Sequence, residues 1–360
     1  MNKNFFNSAF SLLIALVLFS CGKQLNKIPP NTLVADNAIR DESTAKIAIV
    51  GLYSFFGNYE EFDALMVSRQ GVRLNILDPH GTWAYELQWS MLNIEPGEAN
   101  VKSLWVYPFT FINAANNVIY QLENLDDDLF AAGNRIKMLA EARFMRGFGH
   151  LFIMKEFAHF WDIDSEFGPL LRLEPAGIVN NRKERSSVAE GYDAILGDFK
   201  YAAENLPPFV SIYKVPKPLA QACWVETLLM RGASDDYSEA VGIAKEVIDK
   251  GPFELETPFA NVYTSGYTST ELMFSRKINA ENKGLNDLIV SNVSSLYNLL
   301  GRKQNAPSEA YFNWVNTDDT RYPYIIGDTV TSAGQILTNT WIKNFEINVK
   351  TRLVTFHFNT

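Results

Sequence analysis

The sequence predicts a mainly α-helical protein that is stabilised by a hydrophobic core and not by disulfides. Apolar residues recur at three- and four-residue steps over six segments between residues 41 and 250, which is the period of an amphipathic helix. The chain has 360 residues, of which 47% are hydrophobic, and only two cysteines. A chain of this length and composition can bury a large core.

The first twenty residues have the pattern of a lipoprotein signal peptide. Lys3 supplies positive charge, residues 11–19 form an apolar run too short to span a bilayer, and Ser20 precedes Cys21. We expect cleavage before Cys21 and lipidation of its thiol, and more than one acyl chain there would anchor the protein stably. The alternative is an ordinary secretory signal with an incidental cysteine.

Residues 21–37 are predicted to be an extended tether, because Pro29 and Pro30 deny the chain helical hydrogen bonds. Once Cys21 is lipidated, Cys223 has no disulfide partner within the chain, and we expect it to be a small buried hydrophobe. The formal net charge of −9 disfavours binding to nucleic acid and to anionic lipid.

Six helices are predicted between the tether and residue 252. They cover residues 41–56, 104–124, 135–157, 187–206, 217–232 and 236–250. Ser187 and Glu190 have the spacing of a capping box, and Pro108 is expected in a first helical turn, where proline is tolerated. Gly147 and Gly149 each cost a helix roughly 1 kcal/mol relative to alanine, unless they permit a close helix contact. The short connections favour helical hairpins of the kind that stack in tetratricopeptide-like arrays.

Two stretches, at about residues 62–103 and 253–340, show no sustained period and are predicted to be rich in loops. We expect ligand binding there, because loops on a rigid scaffold commonly carry it. Flat aromatic rings suit the C–H face of a sugar, and planar polar groups suit its hydroxyls. The candidate ligand-binding residues are Asn75, Asp78, His80, Trp83, Tyr85, Trp89, Tyr297 and Trp314.

Aromatic residues of the first stretch would line up if it formed a strand. In a strand, Trp83, Tyr85 and Trp89 would share one side. The alternative for these rings is packing in the core. The remaining tryptophans lie within or beside predicted elements, and we expect most of them to be buried. They are Trp105, Trp161, Trp224 and Trp341.

The sequence lacks the strong catalytic signatures, such as His-Glu-x-x-His, Gly-x-Ser-x-Gly or a phosphate-binding glycine loop. Three groups of neighbouring acids could hold a metal or act as a glycosidase pair, but solvated loop or capping residues explain them better. These groups are Asp126 to Asp128, Asp162 with Asp164, and Asp318 with Asp319. We therefore predict no enzymatic activity, no cofactor and no metal site.

Several short motifs follow one another along the chain. They are Leu25-Asn-Lys-Ile-Pro29, Gly51-Leu-Tyr53, Trp105-Val-Tyr107 with Ile112, Asn113 and Asn116, Glu141-Ala-Arg-Phe-Met-Arg146, Phe167-Gly-Pro-Leu170, Arg185-Ser186, Glu271-Leu-Met-Phe274 and Asp319-Thr-Arg321. Their order and spacing resemble the SusD/RagB family of nutrient-binding outer-membrane lipoproteins.

The resemblance implies a SusD-like fold, in which tetratricopeptide-like helical hairpins form an α-superhelix and an irregular, loop-rich part binds the ligand. On this basis the SusD-like domain covers residues 38–360, with its helical scaffold at about 38–61 and 104–252. Family members usually run well beyond 360 residues, so we expect that the C-terminal end of this domain is truncated.

The implied function is capture of oligosaccharide or polysaccharide at the cell surface, or of peptide in the RagB branch. The implied partner is a SusC-like TonB-dependent transporter in the outer membrane, and the implied location is lipid-anchored in that membrane, facing the exterior. The family's glycan platform draws on the region after the first helix. Two other classes remain open: a lipid-anchored glycoside hydrolase with two opposed carboxyls, and a helical scaffold that binds only proteins.

Overall fold

A computed structural model describes residues 38–57, 71–79, 84–275, 305–319, 322, 326–330, 336–342 and 355–357. The α-helices are α1 (Glu42–Tyr53), α2 (Ala84–Ser90), α3 (Ala99–Glu123), α4 (Asn134–Phe157), α5 (Val188–Asn205), α6 (Lys217–Arg231), α7 (Asp236–Lys250), α8 (Asn261–Thr264) and α9 (Glu309–Trp314). The strands are β1 (Leu77–Pro79), β2 (Leu272–Ser275), β3 (Asn305–Pro307), β4 (Ile326–Val330), β5 (Ile336–Ile342) and β6 (Thr355–His357). Short 3-10 helices lie at Ser54–Gly57, Asp127–Leu129 and Gly266–Thr268.

The six predicted helices are confirmed as α1 and α3 to α7. The start of α3 was predicted wrongly. This helix begins at Ala99 because the Glu98 carboxylate accepts hydrogen bonds from the backbone N–H groups of Asn100, at 3.0 Å, and Val101, at 3.1 Å. Pro108 therefore lies well inside the helix and not in its first turn, and it has no N–H to donate to the carbonyl one turn earlier.

The predicted capping box at the start of α5 is confirmed. The Ser187 hydroxyl accepts a hydrogen bond from the Glu190 N–H at 3.2 Å, and the Glu190 carboxylate accepts one from the Ser187 N–H at 2.8 Å. These bonds satisfy two backbone donors that a helix start leaves without partners, and they fix where the chain turns into α5.

The scaffold is built by packing each helix on the next. Helix α3 packs on α4, α4 on α5, α5 on α6 and α6 on α7, while α1 lies across α3 and α4. This is the arrangement of stacked helical hairpins, as the sequence predicts. Large side chains that are fully buried fill the space between the helices, among them Phe111, Phe144, Tyr192 and Phe199. Cys223 on α6 is also buried, as predicted.

Helix α4 approaches both of its neighbours closely at its two glycines. A Cβ atom added at Gly149 would lie 2.7 Å from Cγ1 of Ile112 on α3, and one at Gly147 would lie 3.0 Å from Cβ of Asp198 on α5. The expected close helix contact is therefore present at both positions, and it offsets the conformational cost of glycine inside a helix.

A buried ion pair joins the same helices. The Arg146 guanidinium on α4 donates from Nη2 and Nε to the two carboxylate oxygens of Asp198 on α5, at 2.7 and 2.8 Å. Its Nη1 donates to Oδ1 of Asn116 on α3 and to the carbonyl of Leu173. One side chain thus links three helices and the segment that follows α4.

The elements outside the scaffold are short. Strands β1 and β3, β2 and β6, and β4 and β5 form three antiparallel two-stranded sheets. The condition under which Trp83, Tyr85 and Trp89 would share one side, a β-strand, is not met, because residues 84–90 form α2. Alanine, leucine, glutamate and glutamine in this segment favour a helix. None of the helices in the described part of the chain has the length and apolar character that a membrane span requires.

Candidate functional site

The structure describes four of the predicted ligand-binding residues completely. Asn75, Asp78, Trp89 and Trp314 belong to this group. Tyr85 lies on α2, but its side chain is outside the described part of the chain. Three predicted residues lie wholly outside the described residues, and they are His80, Trp83 and Tyr297.

Pairing of β1 with β3 brings together residues that are more than 220 positions apart in the sequence. Asp78 is opposite Ala306 in this antiparallel pair, and the Ser308 N–H donates to the carbonyl of Ile76 at 2.9 Å. The Ser308 hydroxyl also donates to the carbonyl of Asn75. The same hydroxyl accepts a hydrogen bond from the Tyr311 N–H at 3.0 Å and caps α9, so β3 leads directly into that helix.

Helix α9 ends at Trp314, whose side chain is exposed (80%). Asn75 is also exposed and has a φ of 56°, a left-handed conformation that asparagine tolerates better than most residues. Asp78 is half-buried. We call Asn75, Asp78 and Trp314 the Trp314 surface. It offers a flat indole, an amide and a carboxylate on one hydrogen-bonded unit.

Trp89 does not belong to this surface. Its side chain is 4% exposed and packs in a small core with Val72, Leu77, Leu104 and Phe152. A ligand at the surface does not reach a ring buried in this way, so the expectation that Trp89 contacts ligand is withdrawn. Helix α2 directs this ring into the core, where it packs with Leu77 of β1.

A second exposed aromatic cluster lies beyond the end of α4. Trp161 is 68% exposed, whereas most of the remaining tryptophans were predicted to be buried. Its indole stacks on the His159 ring with centroids 5.2 Å apart, and the His159 ring contacts Phe167 at 5.0 Å. We call His159, Trp161 and Phe167 the Trp161 platform. Trp105 and Trp224 are partly buried, and the side chain of Trp341 is outside the described residues.

The sequence carries a signal for the Trp161 platform. Trp161 comes after the apolar period of α4 has ended, and Asp162 and Asp164 follow it at once. A large aromatic residue among carboxylates beyond a helix end has no helix face to bury it.

Comparison with known proteins gives both a sequence and a fold relationship. Residues 59–224 match a SusD-like family model that is described as starch-binding and associating with the outer membrane. SusD-like protein P25 of Formosa agariphila is 21% identical over 259 residues, covering 68% of this chain and 46% of that protein. The chain thus spans less than half the length of this curated relative.

Solved structures share the fold. A SusD superfamily protein from Bacteroides thetaiotaomicron superposes with a TM-score of 0.72 at 18% identity, over 86% of this chain and 71% of that chain. A structure with xylogluco-oligosaccharide superposes with a TM-score of 0.53 at 18% identity, over 64% of this chain and 46% of that chain. Residues 59–224 thus resemble SusD-like proteins in sequence, and the chain shares the SusD-like fold.

The SusD-like scaffold also holds an open pocket of about 600 Å³ between α1, α4 and the segment before α6. In it the Tyr53 hydroxyl donates to the Glu141 carboxylate at 2.7 Å and accepts from the Val215 N–H at 2.9 Å. Burial raises the pKa of Glu141. Among the described lining residues, Glu141 is the one carboxylate, so this pocket lacks the opposed pair that glycoside hydrolysis needs.

Two of the three groups of neighbouring acids singled out in the sequence make structural bonds in the described part of the chain. The Asp127 carboxylate pairs with the Arg135 guanidinium at 2.5 Å, which lowers the pKa of Asp127. The Asp162 carboxylate accepts a hydrogen bond from the Asp164 N–H at 3.2 Å within a turn. In the described part of the chain, no group of three or more histidine, cysteine or acidic residues is placed to hold a metal ion.

Proposed function

We propose that this protein is a cell-surface glycan-binding lipoprotein that captures oligosaccharide or polysaccharide and passes it to a SusC-like TonB-dependent transporter in the outer membrane. The Trp314 surface carries the proposal. It combines an exposed indole with an exposed amide and a half-buried carboxylate, and a hydrogen-bonded backbone holds all three. An indole face packs against the C–H face of a sugar ring, while amide and carboxylate oxygens accept hydrogen bonds from its hydroxyls.

The similar proteins support the same class of ligand. The matched family is described as starch-binding, and one structure that shares the fold was solved with xylogluco-oligosaccharide. The Glu141 pocket agrees with a binding protein that does not hydrolyse its ligand, because its described lining contains one carboxylate and glycoside hydrolysis uses two. His80, Trp83, Tyr85 and Tyr297 remain proposed ligand contacts of the same loop-rich part.

Glycan binding can be tested with the chain from Gly22 onward, which lacks the lipidated cysteine. We expect this chain to bind one class of neutral polysaccharide in isothermal titration calorimetry without releasing sugar. Trp314→Ala is expected to weaken binding about two- to tenfold, because an aromatic contact contributes about 0.5–1.5 kcal/mol beyond its buried area. Tyr120→Ala is a matched control, because Tyr120 is also an exposed ring (54%) but lies on α3.

Circular dichroism separates loss of binding from loss of fold. A folded Trp314→Ala chain with unchanged affinity would overturn the role of the Trp314 surface. Binding to peptides but not to polysaccharides would favour a RagB-like peptide receptor, and release of reducing sugar would favour a hydrolase.

The anchor and the transporter need separate tests. Radiolabelled palmitate is expected to enter the full chain but not a Cys21→Ala variant, and labelling of both would refute the proposed lipidation. Mild extraction of the tagged full chain from outer membranes is expected to recover a TonB-dependent β-barrel. Recovery of the chain from the membrane without such a barrel would argue against transfer to a transporter.

A further inference from the structure

The Trp161 platform is solvent-exposed, yet the loop that carries it is firmly held. The His159 N–H donates to the carbonyl of Phe167 at 2.9 Å and closes the loop on itself. The buried Tyr192 on α5 donates its hydroxyl to the carbonyl of Phe160 at 2.7 Å. A loop fixed by these bonds loses little conformational entropy when a ligand binds.

The arm that follows the loop adds further bonds. The Gly168 N–H donates to the carbonyl of Ser186 at 3.0 Å, and the Ser186 N–H donates to the carbonyl of Pro169 at 3.0 Å. The Arg185 guanidinium donates to the carbonyls of Phe157 and Gly168. The loop is thereby attached both to the end of α4 and to the segment that enters α5.

The rings of the platform contact one another and leave the Trp161 indole largely exposed. His159 and Trp161 stack with an interplanar angle of 26°, and Phe160 meets the indole edge-on at 82°. Beside these two ring contacts the Trp161 side chain remains 68% exposed. Phe167, 58% exposed, contacts the His159 ring with centroids 5.0 Å apart and extends the aromatic surface.

The surroundings of the platform are polar and mainly acidic. Asp162, Asp164 and Glu166 are exposed on the same loop. Glu166 and Phe167 also border a shallow pocket of about 630 Å³, whose remaining lining is Glu184, Arg185, Ser187 and Glu190. This volume is within the range of small-molecule sites.

These features together favour a neutral sugar over an anionic ligand. Carboxylates accept hydrogen bonds from hydroxyls but repel anionic ligands such as nucleic acid and acidic glycans. A single exposed indole matches one sugar ring, whereas a stable protein interface buries roughly 800 Å² on each partner.

We propose that the Trp161 platform is a second glycan contact, separate from the Trp314 surface, which stacks one neutral sugar ring on Trp161 and binds its hydroxyls through the loop carboxylates. This inference rests on the proposed glycan-binding function and adds a site to it. Two contacts on one polymer raise its apparent affinity, because the second contact becomes intramolecular.

The test is a titration of the folded chain from Gly22 onward with a panel of neutral polysaccharides that includes soluble starch and xyloglucan. The chain carries ¹⁵N label, and the Trp161 indole N–H signal is identified by its loss in Trp161→Phe. We expect this signal to shift on addition of the bound polysaccharide, in the native chain and also in Trp314→Ala. Trp161→Ala is expected to weaken affinity about two- to tenfold, Trp161→Phe less, and the control Tyr120→Ala not at all.

The outcomes separate this inference from the proposed function. If the chain binds a polysaccharide but the Trp161 signal is unmoved and Trp161→Ala binds as tightly as the native chain, the platform is refuted and glycan capture stands. If no polysaccharide in the panel binds, both are refuted. If the signal moves only with a protein or a basic peptide, the platform is a protein contact and the inference is wrong.

Discussion

Replacing Asp198 with alanine removes the carboxylate that ties α5 to Arg146 on α4. Both side chains are buried, at 3% and 8% exposure, and two hydrogen bonds of 2.7 and 2.8 Å join them. Asp198→Ala leaves a buried guanidinium without a counter-charge, which costs about 3–5 kcal/mol. Arg146 keeps its bonds to Asn116 and to the Leu173 carbonyl, so we expect a loss near the lower value, about 3 kcal/mol.

Urea unfolding followed by circular dichroism measures this loss. The matched control is Glu123→Ala, which breaks a partly exposed pair with Arg143 at 3.2 Å and is expected to cost less than about 1 kcal/mol. A double variant, Arg146→Met with Asp198→Leu, removes both charges and is expected to recover most of the stability. The reasoning is refuted if Asp198→Ala costs no more than Glu123→Ala, or if the double variant is no more stable than Asp198→Ala.

Three further predictions concern single positions of the scaffold. Gly191→Ala should lower the free energy of unfolding by about 1–3 kcal/mol, since its methyl group would lie 2.5 Å from Cε of Met154. Gly197→Ala on the same helix meets nothing within 4 Å and should raise it by about 0.5–1 kcal/mol; equal effects in urea unfolding would contradict this account. Burial lowers the pKa of His150 to about 3, so above about pH 6.5 the group is neutral in both states, and as pH falls toward 3 the unfolded chain binds the proton first. As the pH is lowered through this window, the free energy of unfolding should therefore decrease by up to about 1.4 kcal/mol per pH unit. His150→Gln should reduce that slope, and identical pH profiles of the two chains would refute the role of His150. Ser187→Ala removes the α5 cap and should cost about 1 kcal/mol in thermal unfolding, with Ser187→Thr retaining most of the stability.

The helices follow from the sequence because the signals that specify them are local. A stripe of apolar residues every three or four positions, with Ser187 and Glu190 in capping-box spacing, predicts α5 without any knowledge of its neighbours. The start of α3 was predicted wrongly because its local signal is weak. Its N-cap is Glu98, and glutamate is not among the commonest N-cap residues. Gly147 and Gly149 indicated a close contact, but not which helices they would meet.

Burial and proximity depend on parts of the chain that are distant in sequence. Trp89 and Trp161 are the same residue type, yet Trp89 is buried because Val72 and Leu104 pack around it, whereas Trp161 lies on a loop beyond the end of α4 and is 68% exposed. Asn75 meets the unit that carries Trp314 through the pairing of β1 with β3, which no local pattern specifies. The sequence by itself therefore determined the helices and the family resemblance, whereas only the tertiary structure decided which aromatic rings face solvent, because solvent exposure is set by what packs against a side chain.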